Sequence, residues 1–235
     1  MSQFIRYIFN ERIIMKKIVL TVLGMMFITS SAFAASMGIS GTALYYNASG
    51  TETTKSSAQT NEGDENGVAP IPSFFIEKDS ENGIVGVEII PYGAKVADFD
   101  NARTDTDTDD ASDTAGNNKG DVNFKNHITF YMEKPVDGPI DGSFIKYGIS
   151  TVSIETEETN ATGSTYGDER VFGVMLGFGK KTERANGTFF KVVGEIARYQ
   201  GATFDGSNDS DSVKNTIELD AFTTAGIRFS VGRSF

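Results

Sequence analysis

The 235-residue chain contains no cysteine and no tryptophan, one histidine and five prolines. Without cysteine there is no disulfide framework, no thiolate metal site and no cysteine nucleophile. A single imidazole, His127, cannot form a histidine cluster for a transition metal. Basic residues are scarce as well, 21 Lys and Arg against 32 Asp and Glu, for a net charge of −11. Nucleic acid demands a basic face, so that class of partner is excluded. Long hydrophobic runs are missing too. The strongest, Ile18 to Phe27, covers ten residues, about half a membrane-spanning helix.

That short run belongs to a sorting signal. Lys16-Lys17 precede it, and Ala32-Phe33-Ala34 follow in the small-residue form read by signal peptidase. Cleavage is expected between Ala34 and Ala35. Residues 1–34 then form a signal peptide and 35–235 the mature domain. Met15 stands directly before Lys16, so residues 1–14 read as an upstream extension from a misannotated start. Removing the signal takes away Arg6, Arg12, Lys16, Lys17 and Glu11, leaving 17 basic and 31 acidic residues, net −14.

What the chain has in quantity is glycine, 25 residues, and phenylalanine, 18. The pattern after Ala35 has period two rather than 3.6, the mark of strands with two unlike faces. Eight strands are expected, at roughly 37–46, 71–78, 83–96, 122–134, 143–154, 170–182, 188–200 and 213–235. In FGVMLGFG, Phe172, Val174, Leu176 and Phe178 share one face, opposite Gly173, Met175, Gly177 and Gly179. Ile145, Tyr147 and Ile149 alternate with Lys146, Gly148 and Ser150. The last strand sets Ile227, Phe229, Val231 and Phe235 against Arg228, Ser230, Gly232 and Ser234.

The connections alternate in length. Long polar loops are expected at 47–70, 97–121, 155–169 and 201–212. Short turns are expected at Asp79–Asn82, Pro135–Gly142 and Glu183–Gly187, each rich in turn formers. An up-and-down transmembrane barrel has this rhythm, because its periplasmic turns are short and its extracellular loops long. The four long loops hold 20 of the 31 mature acidic residues and only Lys55, Arg103 and Lys119 as bases. All of this loop acid thus falls on one rim.

The chain ends in IRFSVGRSF, a terminal Phe235 preceded by alternating apolar residues that include Phe229. This resembles the C-terminal signal of bacterial outer-membrane β-barrels. With the signal peptide and eight strands, the mature chain resembles the small eight-stranded barrels of OmpA, OmpX and opacity type over nearly its whole length. Arg233 departs from the apolar residue usual at its position. The resemblance implies insertion by the barrel assembly machinery, a Gram-negative outer membrane and contact with its lipid. It also implies a closed all-β antiparallel barrel; no enzymatic activity is expected. Such a barrel is just filled by side chains. A protein of structural or surface-interaction type is therefore expected, with a small porin or narrow channel as the alternative.

Candidate functional residues are few. The inward positions carry Glu77, Glu88, Lys125, Glu133, Lys146, Lys191, Glu195 and Arg228, expected to pair as a lumen network because buried charges need partners. Asp105, Asp107, Asp109, Asp110 and Asp113 could chelate Ca²⁺ through carboxylate oxygens, although the Gly and distal Glu of an EF-hand loop are missing. An extracellular ligand or divalent cations at the loops are candidate partners, and a monomer is the expected state. No cofactor is expected. His127-Ile128-Thr129 is similar to the His-x-Ser arrangement of outer-membrane lipid A deacylases. Thr is a poorer nucleophile than Ser, and the face points inward, so His127 is expected to make a lumen hydrogen bond. Tyr45, Phe74, Phe124, Phe130, Phe144, Tyr147, Phe172, Phe178, Phe190 and Phe229 are assigned to the lipid face and its girdles.

Overall fold

The computed structural model describes residues 35–54, 59–90, 93–106, 113–159, 165–207 and 216–235. The signal segment, with Ala34, lies outside them, and Ala35 opens the first strand. The strands are β1 (Ala35–Thr54), β2 (Gln59–Ser80), β3 (Gly83–Ile90), β4 (Ala94–Thr106), β5 (Asp113–Pro135) and β6 (Ser143–Thr159). They continue with β7 (Thr165–Tyr166), β8 (Glu169–Glu183), β9 (Thr188–Tyr199), β10 (Ala202–Ser207), β11 (Thr216–Leu219) and β12 (Thr223–Ser234). Eight of them form an antiparallel ring, β1-β2-β3-β5-β6-β8-β9-β12. β12 closes it on β1, from Ser36↔Ser234 to Asn47↔Thr223. Closure leaves no edge strand around the ring, and only such a sheet, or a helix, can satisfy its backbone in hydrocarbon.

The short turns share one end with both ends of the domain, where the Phe235 amide donates to the Ala35 carbonyl at 2.9 Å. Gly142 and Gly187 end two of these turns at φ of +77° and +79°, which a residue with a Cβ seldom adopts. At the opposite end the structure corrects the expectation of long loops. β1 and β2 stay paired without a break from Ala35↔Lys78 to Thr54↔Gln59. β4 and β5 pair as far as Thr106↔Asp113, and β10 pairs β11 from Ala202↔Leu219 to Asp205↔Thr216. The connections at 47–70, 97–121 and 201–212 are therefore largely β-hairpin extensions of the wall, and β7, in the connection at 155–169, pairs β10 in that at 201–212. These stretches bury little apolar surface, so the hydrophobic alternation fades while the ladder set below them continues.

Two of the wall's irregularities bear on the site. The expected third strand, 83–96, ends at Ile90 and resumes as β4 at Ala94. β2 is paired to β3 only from Phe74 downward. Pro70 and Pro72 stand on the stretch beyond, where a missing N–H is tolerated because one side of the strand has no partner. The second irregularity is a bulge in β5 between Lys125 and Ile128, with Asn126 at φ 53°.

Facing follows the alternation. Phe172, Val174, Leu176 and Phe178 are all more than half exposed, as are Ile149, Ile227 and Phe229. On β8 this apolar band is bounded by Arg170 and Lys180, so nine residues cross it. Nine residues rise about 30 Å along a strand. A tilt near 40° leaves about 23 Å of height, close to the ~25 Å apolar band of a membrane barrel. Inside, Gly232 lies beneath Phe189 and Gly86 beneath Tyr131. A Cβ on either glycine would come within 2.3 Å or 2.4 Å of the ring Cζ. The glycines on the inner face thus make room for aromatic rings. Phe144 corrects the lipid-face assignment: it is buried, sharing the inner face with Lys146. Phe124 is the second correction, because the bulge turns it inward to pack beside Phe222.

Candidate functional site

The lumen is layered. Toward the turn end Phe75, Phe144 and Phe189, all 4% exposed or less, form an aromatic plug. Against it, seven of the eight expected charged residues meet. Lys191 on β9 contacts Glu77 on β2, and its Nζ lies 2.5 Å from a carboxylate oxygen of Glu133 on β5. Tyr131 donates to Glu77 Oε1 at 2.7 Å. Lys191 Nζ also sits 5.4–5.7 Å from the ring centres of Phe75, Phe144 and Phe189, so the plug supplies quadrupole attraction to the buried ammonium.

A second group adjoins the first. Arg228 on β12 contacts Glu88 on β3, and its Nε donates to both oxygens of Glu195 on β9 at 3.1 Å. Lys146 on β6 lies 3.4 Å from Glu88 and 3.8 Å from Glu195, with its Nζ 4.1 Å from the Tyr131 ring centre. Lys191 and Arg228 each join strands three places apart in a ring of eight, which means the bonds cross the lumen. The layer contains four carboxylates and three cations, and Glu77 Oε2 has no hydrogen-bond partner.

Lys125 is not part of this network. The bulge adds a residue to β5 and reverses its alternation, so Phe124 joins the inner face and Lys125 turns outward. There it pairs with Glu155 at 2.7 Å and Glu157 at 3.3 Å. These lie above the apolar band, where Ser153, Glu155 and Arg170 occupy outward positions. The hydrogen bond to Glu155 is the main cause holding the Lys125 ammonium above its ordinary pKa.

His127 makes the expected lumen contacts. Its Nε2 is 3.1 Å from the Tyr199 hydroxyl and 3.4 Å from Thr129 Oγ1, and Thr129 in turn lies 3.0 Å from Ser150 Oγ. Thr129 is buried and faces the lumen rather than the lipid. Of the acidic run, Asp107, Asp109 and Asp110 fall outside the described residues, while Asp105 and Asp113 sit on the paired ends of β4 and β5.

The upper lumen was not foreseen from the sequence. Two apolar clusters fill it, one of Val152, Ile154, Val171, Tyr199, Phe204 and Phe222, the other of Tyr46, Ala69, Ile71, Ile90 and Val96. Phe124 touches both. Tyr199 and Phe222 stack 5.0 Å apart at 11°, forming a floor over the charged layer. Between floor and layer is a void of about 40 Å³, reached by His127, Glu195 and Arg228. Beyond the floor a cavity of about 310 Å³ opens at the hairpin end. Part of the signal is present in the sequence, since Tyr46, Ile71 and Ile154 stand on the inward alternation at the loop ends of expected strands, while Val122 and Phe124 reach the inner face only through the bulge.

No protein-family model and no curated protein matches the chain. Solved structures do. The chain is similar to the outer membrane protein AlkL, determined in DMPC lipid bilayers, with TM-score 0.49 and 10% identity over 89% of this chain and 95% of that one. It is similar to the outer membrane protease OmpT from Escherichia coli, with TM-score 0.45 and 10% identity over 88% and 99%. OprG from Pseudomonas aeruginosa gives TM-score 0.40 and 12% identity over 87% and 98%. The architecture rests on the chain's own closed ring of eight strands with an apolar outer band, which is that of a transmembrane β-barrel.

Proposed function

We propose that the protein is a monomeric surface protein of the Gram-negative outer membrane, its barrel a sealed anchor and its acidic hairpins the interacting part. The observation that carries this reading is the ionic layer tied across the lumen by Lys191 and Arg228, packed against an aromatic plug. A solute would have to break several buried ion pairs to pass, and breaking one such pair costs about 3–5 kcal/mol. The apolar outer band supports contact with lipid. The acidic hairpins support attraction of cationic ligands, or of divalent cations, to the free rim. Delivery by the barrel assembly machinery through Phe229 and Phe235, exposed at 60% and 69%, belongs to the same reading. Single-channel recording in planar bilayers tests it. The sealed barrel gives no conductance steps in molar salt, whereas regular steps would favour the small-porin alternative.

A further inference from the structure

We propose that the outer mouth of the barrel binds a small amphiphilic cation, its apolar body seated on Val96, Val122, Phe124, Ile154 and Phe222 and its ammonium turned toward Glu65. This deepens the surface-interaction reading by naming a class of partner. The cavity there measures about 310 Å³, at the lower end of the range of small-molecule sites, which suits one ring with a short chain. Its walls are aliphatic and aromatic, and its floor is the Phe222 ring, stacked on Tyr199 and 5.8 Å from Phe124. Such a surface favours an apolar body and offers aromatic faces to a nearby cation.

Charge decides which amphiphile. Glu65 stands opposite Ala48 and alternates with the inward Gly67 and Ala69, so it faces the cavity it lines. The first hairpin, 47–70, carries four acidic residues against Lys55 alone. On the neighbouring strand Ser49, another lining residue, donates to Asp220 at 3.0 Å, which adds a carboxylate at the rim. Beneath the floor the ionic layer holds one more carboxylate than cations. A low-dielectric cleft inside an acidic rim concentrates cations and turns anions away.

The test uses the whole mature protein in phosphatidylcholine nanodiscs, titrated calorimetrically with 4-phenylbutylamine, 4-phenylbutanol and 4-phenylbutyrate, with empty nanodiscs subtracted. Saturable binding is expected, the amine about tenfold tighter than the alcohol from the exposed carboxylate and ring faces together, and the acid weakest. Glu65→Gln should bring the amine close to the alcohol and leave the alcohol unchanged. Gly63 lines the cavity, and a Cβ there would meet nothing within 4 Å, so Gly63→Phe should fill the mouth without straining the wall and abolish binding of all three. No saturable heat, equal binding of amine and acid, or amine binding indifferent to both substitutions would overturn the proposal. The same amine added to planar bilayers separates the two readings. Current carried by it would refute the sealed waist and leave the mouth site standing.

Discussion

Lys191→Met removes the cation that holds Glu77 and Glu133 together while keeping most of the aliphatic stem. Lys191 is 3% exposed and the carboxylates of Glu77 and Glu133 are buried with it, so removing the ammonium leaves both out of contact with bulk water. Deleting one partner of such a buried group costs about 3–5 kcal/mol, because an uncompensated charge remains. At about 1.4 kcal/mol per decade this lowers the folding equilibrium roughly 200- to 5000-fold. With a urea slope near 2 kcal/mol/M, the unfolding midpoint falls by about 2 M. The measurement is urea unfolding in lipid vesicles, followed by far-ultraviolet circular dichroism and by gel mobility of unheated samples. A companion variant, Lys191→Met with Glu77→Gln and Glu133→Leu, keeps an acceptor for Tyr131 and removes both orphaned charges. It should recover most of the loss, since whole buried ion groups can be exchanged for apolar ones at little cost. If the single variant unfolds within about 0.5 kcal/mol of the parent, the size of an ordinary surface substitution, the layer is wet and the sealed-lumen argument fails.

Other perturbations probe other layers. Leu176→Lys puts a charge in the middle of the exposed apolar band. It should cost about 2–4 kcal/mol in lipid, whereas a barrel standing in water would hardly register it. Gly232→Ala drives a methyl into the Phe189 ring and should cost about 1–3 kcal/mol, recovered by a second change, Phe189→Leu, in the same denaturation assay. Lys125→Ala loses only the half-exposed pairs to Glu155 and Glu157. It should cost less than about 1 kcal/mol, and the difference should vanish in molar salt. Deleting Phe235, exposed at the turn end, should lower the amount of protein assembled in cells while leaving refolding into vesicles unchanged. Equal losses in both would make Phe235 a packing residue rather than an assembly signal.

The parts of the structure legible in the sequence are those where one face meets an apolar medium and the other a crowded interior. Phe172, Val174, Leu176 and Phe178 against Gly173, Met175, Gly177 and Gly179 fix the direction of β8 without ambiguity, and the same alternation brings Glu77, Glu133, Lys191 and Arg228 inside. Period two fails as a guide in two circumstances. Where a strand rises above the membrane band, both faces can be polar, so β1, β2 and β4 continue as hairpins through sequence that reads as loop. Where a strand takes an extra residue, everything beyond changes face, and the local sequence Lys125-Asn126-His127 contains no glycine or proline to announce the bulge. Asn126 is the one hint, since asparagine tolerates the left-handed backbone better than most residues.

That single bulge accounts for more than a misassigned lysine. It carries Phe124 from the lipid face to the junction of both upper clusters and Lys125 from the lumen to the acidic rim. Without the reversal, a cation would point into the mouth beside Phe222, and the cavity would be neutral or basic at its floor. With it, the mouth keeps an aromatic floor and an acidic lip. The selectivity proposed for the mouth and the exclusion of Lys125 from the ionic layer therefore have one structural cause. Deleting Asn126 leaves one residue opposite Val152, so the ladder runs unbroken from Lys125↔Ser153 to Ile128↔Thr151 and no residue changes face. Lys125 should stay on the acidic rim and the preference for the amine should survive, whereas a deletion that brought Lys125 into the lumen would refute this account of the bulge.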